Sequence, residues 1–316
     1  MINSYILEYI KRLGDGKLKE KLDQLKEKLE QLKEKVKEIF KSSKTRSYIL
    51  VGVAAICLVL MAVGAFQMIR IQVQYRQSAA LYEELTQFLS FEPIEVGGSG
   101  AENGNDELEE DGEVEEFFQL PAGVQIPQVD FDGLREINPN IVGWIILEGT
   151  QINYPVVQGE DNIYFLNRLY DGRWNPSGTI FMDYLNDPNM RDFHTILYGH
   201  HMQDGSMFAA IEFYVTQPDF IDRHPYIFFI TPEREYVIKP FTGYKEFAYG
   251  DHITWQLDFE DEAQKQEWLN NRRNRSDFPS NIEVLPSHRF VTLSTCSMVI
   301  IDHRTVVTGR IMPIAR

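Results

Sequence analysis

A chain of 316 residues with 43% hydrophobic and 25% charged side chains is long enough to bury the cores of one or two domains. Its net charge of -16 is divided: residues 1–46 carry 13 Lys+Arg against 8 Asp+Glu, and the remainder carries 18 against 39. An acidic body argues against nucleic acid as a partner, because phosphate binding needs a basic footprint, and two cysteines cannot build a disulfide framework.

The first predicted element is a helix over 17–40. Leu18, Leu22, Leu25, Leu29, Leu32, Val36 and Ile39 recur at spacings that alternate four and three, with charged residues filling the other positions. Such a seam reads as a coiled coil, suited to self-association through 18–39. The alternative is an amphipathic helix on the inner leaflet, its lysines toward anionic lipid. Tyr48–Met68 follows, 21 residues without a charge, enough to cross a bilayer core of ~30 Å. The apolar core of a cleaved signal peptide would be shorter and nearer the chain start, so a retained single-pass anchor is expected. Lys41, Lys44 and Arg46 immediately precede the span. The positive-inside rule then puts residues 1–46 in the cytoplasm and 69–316 outside the cell.

Residues 69–96 read as a helical stalk and 97–129 as an acidic linker. Between Ala101 and Glu116 nine of sixteen residues are acidic, too polar to offset the entropy of ordering, so a self-repelling spacer is expected there. The folded domain is placed at 130–316. It opens with a short helix ending near Pro139, then turns to short runs rich in Val, Ile, Tyr, Phe and Thr bounded by turn residues. Strands are expected at Gly143–Leu147, Gly178–Met182, Thr195–Tyr198, Tyr226–Ile230, Glu235–Lys239, Phe241–Phe247, Phe290–Ser294 and Arg304–Pro313, with one helix over 258–278. Eight short strands and few helices imply a mainly β, eight-stranded barrel with peripheral helices.

Cys296, in TLSTCSMVIIDHR, is the one thiol outside the apolar span. A lone buried cysteine is most often a small hydrophobe, yet an unpaired thiol in an exported domain needs a reason. A nucleophilic thiol needs a base or cation to favour thiolate and a donor for the oxyanion. His200 follows the largely apolar run TILYG and precedes a loop; His201 and His303 are its rivals. Arg304 opens the last strand, and if that strand pairs with the one ending at Cys296 the two residues share a rim. Taken singly, a cysteine and a histidine so placed are more often structural than catalytic, and a surface arginine solvating a loop explains Arg304 equally well. No metal-ligand spacing and no phosphate-cradling glycine loop is present, so no cofactor is expected.

Together, YGHHM at 198–202, TLSTC at 292–296 and RTVVTG at 304–309 resemble the three signature segments of sortases, the cysteine transpeptidases of Gram-positive cell surfaces. INPNIVGWIILEGTQINYPVVQGEDNIYFLN at 137–167, GTIFMD at 178–183, DGSMF at 204–208 and the helix over 258–278 are similar to class B. The resemblance covers about 130–316 and leaves out the heptad segment. It implies Cys296 as nucleophile, His200 as proton-transfer partner and Arg304 as oxyanion or substrate-positioning residue, with Asn162, Leu166 and Ser294 lining a peptide groove. The implied partners are exported proteins bearing a C-terminal sorting signal and an amine of a cell-wall precursor. A hydrolytic cysteine protease using the same dyad, or a non-catalytic membrane-tethered scaffold, are the other two readings.

Overall fold

The structure is a computed structural model that describes residues 16–39, 43–91, 116–247, 252–296 and 303–315. The chain divides into two compact units, residues 1–72 and 73–316. The first holds helix α1 (Gly16–Ile39) and the greater part of helix α2 (Ser43–Glu84). Along α1 the seam residues Leu25, Leu29 and Leu32 are exposed. Within 46–88 lies the one helix, among the described residues, long and apolar enough to cross a membrane.

In the second unit the last turns of α2 are built into the core. Ser78, Tyr82 and Leu85 are buried, and the Tyr82 ring sits 5.1 Å edge-on to Tyr154 and 5.4 Å from Tyr170. After α2 a two-residue strand, β1 (Leu89–Ser90), pairs antiparallel with β2 (Gln128–Val129). Both ends of the acidic stretch 97–116 therefore belong to this one unit; residues 92–115 lie outside the described residues. Helix α3 (Phe131–Ile137) begins where Asp130 accepts a hydrogen bond from Gly133 N at 2.9 Å, an N-cap satisfying an otherwise orphan donor.

Eight strands close the barrel: β3 (Ile141–Ile146), β4 (Asn153–Gln158), β5 (Ile180–Met182), β6 (His194–Tyr198), β7 (Ile227–Ile230), β8 (Glu235–Phe247), β9 (Arg289–Cys296) and β10 (His303–Pro313). The order around the barrel is β10-β8-β7-β3-β4-β5-β6-β9. The β4–β5 and β6–β9 pairs are parallel and the other six antiparallel. Closure leaves this sheet without an edge, and Trp144, Ile145, Val156, Phe229, Val291 and Leu293 are among the side chains left with almost no exposure. Helices α4 (Phe213–Thr216), α5 (Phe220–Arg223) and α6 (Glu262–Arg275) lie in the connections. The Asp261 carboxylate caps α6 by accepting from Gln264 N at 2.8 Å.

The expected strand count is met with two changes of membership. Asn153–Gln158 is a strand that the sequence reading passes over, because Pro155 interrupts it; it lies one residue before the parallel pairing of Val156 with Ile180 begins. Glu235–Lys239 and Phe241–Phe247, taken as two strands, are one. Proline lacks a donor and reads as a breaker, but Pro240 sits at a bulge, where the register shifts between Thr308 and Gly309 and Pro240 faces Gly309. At that crossing β10 presses on β8. A Cβ on Gly309 would lie 2.4 Å from Ile238 Cγ2 and 2.9 Å from Lys239 O.

The barrel also contains a buried histidine. His194 is fully buried on β6, its Nδ1–H donating to Gln256 O at 2.7 Å and its Nε2 accepting from Thr292 Oγ1 at 2.7 Å. Thr292 Oγ1 lies in turn 2.8 Å from Thr308 Oγ1, so one chain of polar atoms links β6, β9 and β10. This bonding satisfies the neutral ring, and burial, reinforced by the Arg272 charge, depresses the His194 pKa to about 3.

Two outcomes follow from this packing. Gly309→Ala should destabilise the unit by about 1–3 kcal/mol, the range of overpacked sites, and an unchanged midpoint in denaturant titration would show that β8 yields without cost. For His194 the folded pKa lies below the unfolded value of about 6.5. Its contribution to stability is therefore complete above pH 6.5 and is lost as pH falls from there toward 3, at up to ~1.4 kcal/mol per pH unit. Denaturant midpoints measured from pH 7 to 4.5 should fall more steeply for the wild type than for His194→Gln; equal slopes would contradict a buried neutral ring.

Candidate active site

Strand β9 lies between a parallel and an antiparallel neighbour. On one side Tyr198 of β6 pairs with Ser294, and Gly199 N still donates to Ser294 O at 3.1 Å. Two residues further along each chain stand His200 and Cys296. On the other side Cys296 pairs directly with Arg304 of β10. Neighbouring strands run about 4.8 Å apart, so the register brings three sequence-distant positions to one rim of the barrel. The segment between Cys296 and β10, residues 297–302, lies outside the described residues.

The orientation of His200 is set by a carbonyl. Its Nε2 lies 2.7 Å from Leu166 O, and since a carbonyl only accepts, Nε2 carries the proton. Proton exchange then falls to Nδ1. The loop after His200 folds back on itself: Phe208 N donates to His200 O at 2.9 Å, and His201 and Met207 form a bridge. His201 is differently employed. Its Nε2 is 2.8 Å from Glu212 Oε2, while Lys245 Nζ is 3.1 Å from Glu212 Oε1, an ion-pair cluster in which Glu212 is buried. His303 stacks edge-on against Phe247, with centroids 5.4 Å apart. The three histidines that compete in the sequence therefore have three distinct environments.

Arg304 is half-buried, its guanidinium carbon 5.9 Å from the centroid of Trp255, within the range of a cation–π contact. Among the described residues no carboxylate is ion-paired with it. Glu246, its cross-strand partner on β8, is engaged elsewhere, with Arg275 Nη1 at 2.6 Å, Thr254 Oγ1 at 2.7 Å and Phe247 N at 3.0 Å. Burial alone would raise the Glu246 pKa, but these bonds outweigh it and hold the carboxylate below its usual range. Trp255 is carried by the turn His252–Trp255, which α6 secures. Fully buried Arg272 donates to the carbonyls of Ile253 and Thr254 and to the Tyr244 hydroxyl, and Trp268 Nε1 donates to Ile253 O at 3.0 Å. Burial depresses the Arg272 pKa to about 9.

Of the expected groove residues, Asn162 has both ends of its amide in use. Nδ2 donates to Asp183 Oδ2 at 2.8 Å and Oδ1 accepts from Tyr184 N at 3.1 Å. Leu166 is half-buried and meets the site through its backbone carbonyl. Ser294 is fully buried on β9, and its hydroxyl has no hydrogen-bond partner among the described residues. The sequence reading misses Asp183. This buried carboxylate also accepts from Tyr198 Oη at 3.0 Å and Leu185 N at 3.1 Å, tying the loop of Asn162 to the end of β6. Burial and the Asp183 charge raise the Tyr198 pKa, and the charge of Arg304 opposes them. Asp183 stands in GTIFMD, but one carboxylate in a turn gives no signal of the partners it gathers from 162, 185 and 198.

No protein-family model matches the chain. The chain is 37% identical over 186 residues to sortase B of Staphylococcus aureus, covering 59% of this chain and 73% of that protein. It is 34% identical over 163 residues to sortase B of Listeria monocytogenes, covering 52% of this chain and 65% of that protein. Among solved structures, the crystal structure of S. aureus sortase B superposes with a TM-score of 0.55 at 35% identity, covering 58% of this chain and 87% of that chain. A sortase B from B. anthracis gives 0.60 at 29% identity, covering 76% and 98%. A closed eight-stranded barrel with His200, Cys296 and Arg304 on one rim, joined to identity of this extent, means that the chain belongs to the class B sortases, which are cysteine transpeptidases.

Proposed function

We propose that this chain is a membrane-anchored cysteine transpeptidase acting outside the cell, with Cys296 as nucleophile, His200 as proton carrier and Arg304 as electrostatic partner. The observation that carries the assignment of residues is the register of β9, with Tyr198 opposite Ser294 on one side and Arg304 opposite Cys296 on the other. The Cys296 thiol gives its proton to His200 Nδ1 and its sulfur attacks the carbonyl carbon of the scissile amide; the oxyanion meets the Arg304 guanidinium, which stays protonated and offers a planar fork of donors. His200 gives its proton to the leaving amine as the C–N bond breaks, leaving a thioester on Cys296. An incoming amine then attacks the thioester carbonyl, His200 accepts the proton that amine sheds, and the C–S bond breaks to release the new amide and the Cys296 thiolate, which takes that proton back from His200.

Asn162, Leu166 and Ser294 are proposed to border the peptide groove. Solved structures of S. aureus sortase B include a substrate complex, and a sortase B complex with triglycine is also known. These support a sorting-signal peptide as donor and a cell-wall amine as acceptor for this chain. The apolar helical run and the basic residues before it support a single-pass anchor with residues 1–46 in the cytoplasm. The exposed leucine seam of α1 supports self-association or contact with the inner leaflet.

The test is a sorting-signal peptide library incubated with the full chain in detergent, with and without added triglycine. Ligated product in the presence of amine is the expected outcome; hydrolysis alone at saturating amine would make the chain a protease. Cys296→Ala should abolish both products while the fold persists, and retained turnover would remove Cys296 as nucleophile. His200→Ala should lower kcat by about 10²–10⁴-fold, and His201→Ala should leave the chemistry intact at some cost in stability. Arg304→Lys keeps the charge and loses the fork. A fall of about 10²-fold is expected, and unchanged turnover would take Arg304 out of the site.

A further inference from the structure

Leu166, whose carbonyl orients His200, lies in the single turn Tyr164–Asn167. One such turn has poor hydrogen-bond geometry and needs outside support to hold a carbonyl in place. That support is Gly178. Its φ of +59 lies in the left-handed region, and a Cβ there would lie 2.5 Å from Leu166 O and 2.8 Å from Phe165 O. Glycine is what allows the two backbones to meet. Thr179 N, the next donor along, bonds Phe165 O at 3.2 Å.

The other face of Gly178 is held by α2. Tyr82 Oη donates to Gly178 O at 2.9 Å, and Ser78 Oγ lies 3.4 Å from Ser177 Oγ. Burial holds the Tyr82 proton on far above any working pH, so this hydroxyl is a constant donor. The same ring reaches the opposite flank of His200. It packs against Tyr154, whose Oη accepts from Met207 N at 3.2 Å, in the loop that closes with Phe208 N on His200 O.

We infer that Tyr82 is a positioning residue for His200, acting through Gly178 and the Leu166 carbonyl to hold Nε2 protonated and leave proton exchange to Nδ1. The inference rests on the reading of His200 as the proton carrier. The last turns of α2 are then part of the catalytic apparatus, although no residue of α2 is among those proposed to touch substrate.

Tyr82→Phe removes one oxygen and keeps the ring, so the packing on Tyr154 and Tyr170 survives. In the full chain in detergent, with a sorting-signal peptide and triglycine, kcat should fall about threefold to tenfold, the scale of one buried hydrogen bond, while KM stays within about twofold. Nitrogen chemical shifts of His200, read in a Cys296→Ala background, should change from a single Nε2–H tautomer to a mixture when Tyr82→Phe is added. Gly178→Ala, which crowds Leu166 O directly, should give the same tautomer shift. A Tyr82→Phe enzyme with wild-type kcat, or one whose kcat falls while the His200 tautomer is unchanged, overturns the inference. Full activity in His200→Ala would instead overturn the reading of His200 itself.

Discussion

The constraint on which the site depends is the hydrogen bonding of β9 on both its edges. A strand paired on one side can slip by two residues and keep its faces. One locked by a parallel neighbour and an antiparallel neighbour must break two ladders to do so. The parallel ladder from His194 opposite Phe290 to Tyr198 opposite Ser294 fixes where His200 emerges, and the antiparallel ladder from Ile311 opposite Arg289 to Arg304 opposite Cys296 fixes the guanidinium. Alignment of three residues drawn from positions 200, 296 and 304 thus follows from backbone register before any side chain is considered. The polar chain His194–Thr292–Thr308 crosses the same three strands inside the barrel and ties them with side-chain bonds.

Register alone does not orient side chains, and that task falls to elements outside the barrel wall. On the histidine side the agents are the turn of Leu166, the left-handed glycine beneath it and the end of α2. On the arginine side they are α6, whose buried Arg272 clamps the carbonyls before Trp255, and Glu246, whose carboxylate is consumed by Arg275 and Thr254. The two arms are chemically unlike: neutral backbone contacts bear on the proposed proton carrier, while an aromatic face and one carboxylate engaged elsewhere, Glu246, lie beside the proposed electrostatic partner. A carboxylate paired to Arg304 would compete with an oxyanion for the same donors.

Much of this was legible in the sequence. The apolar strands, the helix over 258–278, and the motif segments around His200, Cys296 and Arg304 announce themselves through local composition. What stayed hidden depends on pairing. Pro155 and Pro240 look like breakers until one lies near a strand start and the other faces a glycine across a bulge. The different surroundings of His200 and His201 become visible only with Glu212 and Lys245 in place, and Asp183 is one acidic residue among many until its three donors converge. Residues 69–96 read as a helical stalk leaving the membrane. That Ser78, Tyr82 and Leu85 are buried against barrel connections is a tertiary fact with no local mark.

The pairing of β1 with β2 has a bearing on the acidic stretch between them. Leu89 is bonded to Val129 within one unit, so the chain leaves and re-enters the same unit around residues 92–115, and residues 116–127 are already tied to the barrel, Phe118 N donating to Pro313 O at 2.7 Å. Closing such a loop carries an entropy that grows only as the logarithm of its length, about 0.6 kcal/mol for each doubling. Length between the two strands is therefore a weak constraint on stability, whereas Glu116, 2.5 Å from the buried Arg310 of β10, is held to its charge.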